Sequence, residues 1–113
     1  QVPMGTNLLF QCDSVPGLTI GAEICEDVWV PCPPSISHAM AGATVIVNCS
    51  ASDEVTGKSE YRRSLISGQS ARLLCAYIYA NAGVRSIPMS EKVNQLRIWC
   101  VAVIISLRKM ELC

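Results

Sequence analysis

The stretch GLTIGAEICEDVWVPCPP, residues 17–34, ends an apolar run on a thiol, Cys25, followed at once by the carboxylates of Glu26 and Asp27. Trp29 and three prolines, Pro31, Pro33 and Pro34, come directly after. A strand that merely stops finishes more often in Gly, Asn or Ser, so this triplet is where chemistry is sought. An ordinary cysteine is only slightly ionised at neutral pH, and nucleophilic work needs a nearby base or cation. Glu26 and Asp27 act the other way, since adjacent negative charge disfavours a thiolate. His38 is the single histidine and the only partner for a Cys-His pair, but it is expected on an exposed face of a short helix. On the residues alone Cys25 is either a nucleophile or a small core residue at a strand end, and Trp29 either a pocket wall or core.

The elements that position this triplet follow from pattern. Leu8-Leu9-Phe10 reads as a short strand closed by the turn residues Asp13 to Gly17, and Leu18 to Ile24 reads as the next, delivering Cys25 at its carboxyl end. The prolines forbid a ladder there, and Ser35 is expected to cap a short helix through Met40 that stops at Gly42. The β-branched run Thr44 to Val47 predicts a strand buried on both faces. Strand, helix and strand together predict a parallel crossover unit of an α/β layer. Asn48, Ser50 and Ser52 then leave the sheet at the end where Cys25 lies, the address of ligand sites in open α/β folds. From Ser59 to Ala82 a spacing of four through Tyr61, Leu65, Gln69, Leu73, Tyr77 and Asn81 predicts one long helix, with Gly83 as its stop. Gly68 in its middle suggests close packing, and Arg62 and Arg63 a solvated face.

Composition narrows the function classes. The chain has 113 residues, enough for one small domain, and half of them are apolar. Nine basic residues balance nine acidic ones, which excludes the basic face that a nucleic-acid or membrane-surface binder needs. The apolar segments near Val45 and Val101 fall short of the roughly 20 residues that span a bilayer, and no basic-then-apolar leader opens the sequence. The expectation is a soluble, cytoplasmic protein with no nucleic-acid or membrane partner. Seven cysteines without a C-x-x-C pair make neither a secreted disulfide framework nor a zinc knuckle, so no metal is expected. Most are expected to be buried small hydrophobes in a reducing compartment.

GAEICEDVWVPCPP, and then AGATVIVNCSASDEVTGKSEYRRSLISGQSARLLCAYIYANAG, resemble the glutaminase domain of the glutamine-dependent NAD+ synthetase family, a branch of the nitrilase (carbon-nitrogen hydrolase) superfamily. The likeness runs almost continuously over residues 1–84, a segment that corresponds to the C-terminal half of such a domain. It implies an α/β fold, here part of an α-β-β-α sandwich, and a Glu-Lys-Cys triad instead of a Cys-His pair. Cys25 would then attack the side-chain amide of glutamine, releasing ammonia for ATP-dependent NAD+ synthesis from the nicotinic-acid dinucleotide. The resemblance places substrate contacts at Glu26, which suits the α-ammonium of glutamine, at Trp29, and at Ser52 and Lys58, which suit its α-carboxylate. It implies no cofactor in this chain, ATP and magnesium in a synthetase domain absent from it, that domain as a partner, and a homo-oligomeric parent. Other nitrilase-superfamily amidases and a non-catalytic truncated remnant are the alternatives.

Two departures qualify the likeness. The family's Glu and Lys lie upstream of the cysteine, whereas only 24 residues precede Cys25, none of them lysine, and Glu23 is too close along the strand to act as base. Such a piece is expected to be inactive alone, to leave one core face uncovered and to dissolve poorly. The second departure is the stretch 85–113, where the family's Gly-Glu-Ser-Thr-Thr-Asp-Leu and Gly-Gly-His strand are missing. Lys92 to Trp99, written AAG GTG AAT CAA CTA CGG ATC TGG and read from the third base, restores Gly-Glu-Ser-Thr-Thr-Asp-Leu. Residues 85–113 are therefore read as an out-of-frame or unspliced tail. Sequencing the coding DNA is expected to find these codons, and synonymous codons that break the shifted reading would overturn the tail's assignment.

Overall fold

The β-branched runs and the prolines divide the chain as their chemistry requires. The computed structural model describes residues 1–52 and 55–81, together with the backbone of 97–101. Strands β1 (Leu9–Gln11) and β2 (Thr19–Ile24) lead into a 3-10 turn, Cys25–Trp29, and helix α1 (Pro34–Met40). Strand β3 (Val45–Ser50), helix α2 (Lys58–Leu73), β4 (Ala76–Asn81) and β5 (Arg97–Val101) follow. The strands form one sheet in the order β1-β2-β3-β4-β5, with β2, β3 and β4 parallel and β1 and β5 antiparallel at its edges. This is an α/β layer, as expected, and the β2-α1-β3 crossover is the predicted unit. Because β3-α2-β4 steps the same way across the sheet, right-handed crossovers put both helices on one face. They touch there, with Gln69 Nε2 donating to Ser35 Oγ over 2.8 Å.

The core between that face and the helices consists of Val28, Ala43, Ile46, Ile66, Cys75, Tyr77 and Tyr79. Polar residues share it: Glu23, Ser35, His38, Asn48, Ser50, Arg62, Gln69 and Ser70 are all buried. The opposite sheet face is different. Side chains alternate along a strand, so Val45, Val47 and Cys49 point away from the helices, and the first two are only half-buried while Cys49 is exposed. Phe10 at 57% and Ile24 at 68% exposure extend the same apolar face. Burial of β3 on both faces is thus not observed, because among the described residues only one layer of helices covers the sheet. Among the described residues the opposite face of the sheet is left uncovered, with Phe10 and Ile24 exposed on it.

Several local expectations need correction. The helix predicted from Ser59 to Ala82 stops at Leu73, and Ala76–Asn81 is a central strand in which Tyr77 and Tyr79 alternate into the core with no exposure. Leu74 ends the helix in a left-handed conformation, φ 55°, with its N–H on the Ala71 carbonyl and the Cys75 N–H on that of Ser70. That is the C-terminal geometry usually given to glycine, placed on a residue that carries no such signal in sequence. Gly83 lies outside the described residues, as does all of the 85–113 tail except the β5 backbone, where Trp99 stands opposite Tyr79.

Ser35 does not cap α1. Pro33 holds that position, Pro34 opens the helix, and Gly42, at φ 105°, follows its end. The Ser35 N–H is instead satisfied by the Glu23 carboxylate reaching over from β2, at 2.8 Å. His38 is buried, not exposed. Its Nε2 lies 3.1 Å from the Ala22 carbonyl oxygen, which can only accept, so this nitrogen carries the proton. Arg62 is likewise buried, its guanidinium 5.5 Å from the Tyr79 ring centroid, while Arg63 is exposed. Of the five described cysteines, all free, only Cys75 is buried, which corrects the expectation that most are core residues.

Gly68 is no close-packing site, since nothing lies within 4 Å of a Cβ built there. Gly21 is one, because a Cβ there would sit 2.8 Å from His38 Cβ. In urea denaturation Gly68→Ala is expected to stabilise the chain by about 0.5–1 kcal/mol, and Gly21→Ala to cost about 1–3 kcal/mol. A more damaging change at Gly68 than at Gly21 would contradict this packing.

Candidate active site

The carboxyl ends of three parallel strands bring Cys25, Ser50 and Asn81 to one edge of the sheet. Cys25 stands there in a left-handed conformation, φ 48°, a backbone state that costs a non-glycine residue about 1–2 kcal/mol. Such strain persists where surrounding contacts over-determine it, and it clusters at functional sites. The contacts are visible on both sides of the residue. Its carbonyl accepts from Asn48 Nδ2 at 3.3 Å, and its sulfur accepts from Ser50 Oγ at 3.4 Å. Asp27 Oδ2 accepts the Ile24 N–H at 2.7 Å and so closes the turn just before the cysteine. The polar residues expected to share an address with Cys25 do so.

Two buried chains stand behind these bonds. Asn48 Nδ2 also donates to the Tyr77 hydroxyl at 3.3 Å, and the Tyr77 hydroxyl in turn donates to the Glu23 carboxylate. The second chain runs from the Tyr79 hydroxyl to Ser50 Oγ at 2.6 Å and on to the sulfur. Ser52 joins it: its N–H donates to Ser50 Oγ at 3.2 Å and to Asn81 Oδ1 at 3.0 Å, while Asn81 Nδ2 returns a bond to the Ser52 carbonyl at 3.1 Å. Burial, and then the Glu23 carboxylate beside it, push the Tyr77 phenol far above its ordinary value. Burial also pushes the Cys75 thiol up, its proton lying on the Ala43 carbonyl.

Of the remaining sequence-derived site residues, the structure pairs Trp29 with Lys58. The ammonium of Lys58, the first residue of α2, lies 5.8 Å from the Trp29 ring centroid. Tyr61, one helical turn on and largely exposed, stacks on the same indole with centroids 5.5 Å apart and planes at 24°. Glu26 follows Cys25 on the exposed side of the 3-10 turn. His38 sits under β2 against Gly21 and does not pair with the thiol. Sequence reasoning missed Tyr77, Tyr79 and Tyr61, having placed all three in one long helix. The alternation A-Y-I-Y-A after Cys75 is the signal that identifies the first two. Among the described residues no group of three or more His, Cys, Asp or Glu is placed to hold a metal ion, and no helix is long and apolar enough to cross a membrane.

Comparison with known proteins gives this site its context. The chain is 51% identical over 82 residues to the glutamine-dependent NAD(+) synthetase of Mycobacterium tuberculosis, a match covering 73% of this chain and 12% of that protein. The Rattus norvegicus synthetase is 34% identical over 80 residues, covering 71% and 10%. A crystal structure of a glutamine-dependent NAD(+) synthetase from Cytophaga hutchinsonii superposes with a TM-score of 0.50 at 39% identity, covering 66% of this chain and 10% of that one. No family model matches the sequence. The fold is accordingly α/β of the nitrilase type, part of an α-β-β-α sandwich. The chain belongs to the glutamine-dependent NAD+ synthetase family, and it spans about a tenth of the length of the curated relatives it matches.

The raised phenol and thiol set a pH dependence. A group whose proton is held more tightly in the folded chain contributes no penalty below its unfolded value and weakens the fold above it. Stability is therefore expected to decline from about pH 8.5, through Cys75, and more steeply past about pH 10, through Tyr77. Urea midpoints measured across that range are expected to fall faster for the parent than for Tyr77→Phe, and parallel curves would exclude Tyr77 as the source.

Proposed function

We propose that this chain is a segment of the glutaminase domain of a glutamine-dependent NAD+ synthetase, with Cys25 as the nucleophile. The observation that carries the reading is the cysteine itself, held left-handed at a strand end with a hydroxyl donor on its sulfur. The thiolate attacks the side-chain amide carbon of glutamine, forming a C–S bond and a tetrahedral oxyanion. Collapse of that intermediate breaks the C–N bond, ammonia leaves with a proton from the general acid, and a glutamyl thioester remains. Water then adds to the thioester, the C–S bond breaks, and glutamate and the thiolate are restored.

In this mechanism the family's glutamate moves the protons and its lysine, with a backbone N–H at the cysteine turn, stabilises the oxyanion. Both side chains belong to sequence upstream of the segment seen here. Glu26 receives the α-ammonium of glutamine, Ser52 and Lys58 its α-carboxylate, and Trp29 walls the pocket. The pairing of Lys58 with Trp29 supports that arrangement, since it brings a cation and an apolar wall to one place. The ammonia serves an ATP- and magnesium-dependent synthetase domain of the same cytoplasmic, homo-oligomeric parent. The apolar face of the sheet, with Ile24 and Phe10 exposed, is where the second sheet of the sandwich packs. The segment 85–113 stays assigned to a shifted or unspliced reading, and the segment alone does not turn over.

A glutamine analogue with an electrophilic diazoketone in place of the amide tests the reading on the 113-residue chain. Labelling confined to Cys25 and suppressed by glutamine is the expected result. Even labelling of Cys12, Cys25, Cys32 and Cys49 would favour a non-catalytic remnant, and labelling of Cys25 that a short aliphatic amide suppresses better than glutamine would favour another nitrilase-type amidase.

A further inference from the structure

Ser50 ends β3 with only 7% of its surface exposed. A serine hydroxyl has one proton to give and two lone pairs with which to accept. Both lone pairs are engaged, one by the Tyr79 hydroxyl at 2.6 Å and the other by the Ser52 N–H at 3.2 Å. The serine proton is left a single direction, toward Cys25 Sγ at 3.4 Å. Tyr79 has no such latitude either, because it is fully buried and its hydroxyl donates into Ser50. Its ring lies under the guanidinium of Arg62, 5.5 Å from the centroid, and a cation over a ring face draws electron density away from the phenol oxygen. A more polarised O–H donates more strongly, and the bond after it in the chain strengthens with it.

We propose that Tyr79, acting through Ser50, is a positioning residue for the Cys25 sulfur. The pair aims a hydrogen-bond donor at the sulfur and so holds it in one direction at the end of β2. No proton is transferred along the chain. Ser50 keeps its proton in both states of the thiol, and a donor directed at sulfur is worth more to the anion than to the neutral group. The inference deepens the glutaminase reading and rests on Cys25 being its nucleophile. It also explains why a tyrosine stands at the end of a core strand, where a phenylalanine would fill the same space.

The test is the rate of iodoacetamide alkylation at each cysteine of the 113-residue chain, followed by mass spectrometry. Tyr79→Phe, Ser50→Ala and the double variant are compared with the parent. Exposed Cys32 serves as the internal rate standard, and protection of buried Cys75 reports that the fold is intact. At about pH 7 Tyr79→Phe is expected to slow Cys25 alkylation roughly three- to tenfold relative to Cys32, and Ser50→Ala at least as much. Tyr79→Phe is expected to add nothing on top of Ser50→Ala, because its effect passes through the serine hydroxyl. The deficit is expected to narrow as the pH rises toward about 9, where ionisation no longer limits the rate.

An unchanged rate in Tyr79→Phe overturns the proposal. So does a fold-loss from Tyr79→Phe that is the same with and without the Ser50→Ala substitution, or a deficit that persists undiminished at the higher pH, since a packing role would behave in that way. Should Tyr79→Phe expose Cys75, Ser50→Thr takes its place: a parent-like Cys25 rate supports the relay, and a rate as slow as that of Ser50→Ala overturns it. Iodoacetamide needs no glutamine pocket, so failure of the glutamine analogue and failure of this inference are separate results.

Discussion

The buried carboxylate of Glu23 is the constraint around which the described structure is arranged. Left without donors, a carboxylate at 3% exposure would be strongly destabilising or would be forced to take up a proton. It is met by the first turn of α1, through the Ser35 N–H, and by β4, through the Tyr77 hydroxyl. A single residue of β2 thus fixes where the first crossover helix begins and how the β4 side chains are set beneath the sheet. From Tyr77 the same network passes to Asn48 on β3 and ends on the carbonyl of Cys25. Each missing partner is costly in a medium of low dielectric, so a polar network inside a core narrows its own geometry, and in this one Asn48 Oδ1 is the buried atom left without a partner among the described residues.

That geometry is what permits the unusual backbone of the cysteine. The left-handed conformation is unfavourable by about 1–2 kcal/mol for an L-residue. Hydrogen bonds to the carbonyl and the sulfur of Cys25, each worth about 0.5–1.5 kcal/mol net, offset a cost of that size. The two chains come from different strands and meet on different atoms of one residue. They leave the thiol at the carboxyl end of β2, four residues before Trp29, the indole on which Tyr61 stacks and near which the Lys58 ammonium lies. Strain and donor therefore coincide on one residue.

The two faces of the sheet divide the work. The helix-covered face carries the polar networks as well as the apolar core, so it determines the shape of the site. Among the described residues the other face is mainly an apolar surface of Val45, Val47, Ile24 and Phe10, with the exposed thiol of Cys49 beside them. A surface of that kind is covered through the hydrophobic effect, which is non-directional and scales with area. This fits a fold in which a second sheet stacks on the first.

Local chemistry was legible in the sequence wherever it acts within a few residues. Prolines that forbid a ladder, β-branched runs that favour strands and the glycine after α1 marked β2 and α1 nearly to the residue and the start of β3, which runs on to Ser50 past the point where Asn48 was expected to leave the sheet, and the motif around Cys25 pointed to the family. The long helix failed after Leu73 because a spacing of four runs on by coincidence into Tyr77 and Asn81, while the true stop is a left-handed leucine with no sequence signature. His38 and Arg62 were read as exposed because charge and polarity predict solvent unless a partner is known. Their partners, the Ala22 carbonyl and the Tyr79 ring, lie 16 and 17 residues away along the chain. The sequence by itself determined the order of the early elements and the candidate nucleophile, since these depend on backbone preferences and adjacent residue types. Only the tertiary structure decided which polar groups are buried, what aims the Ser50 hydroxyl and why the cysteine can stand left-handed, because each depends on contacts between residues that only the folded sheet brings together.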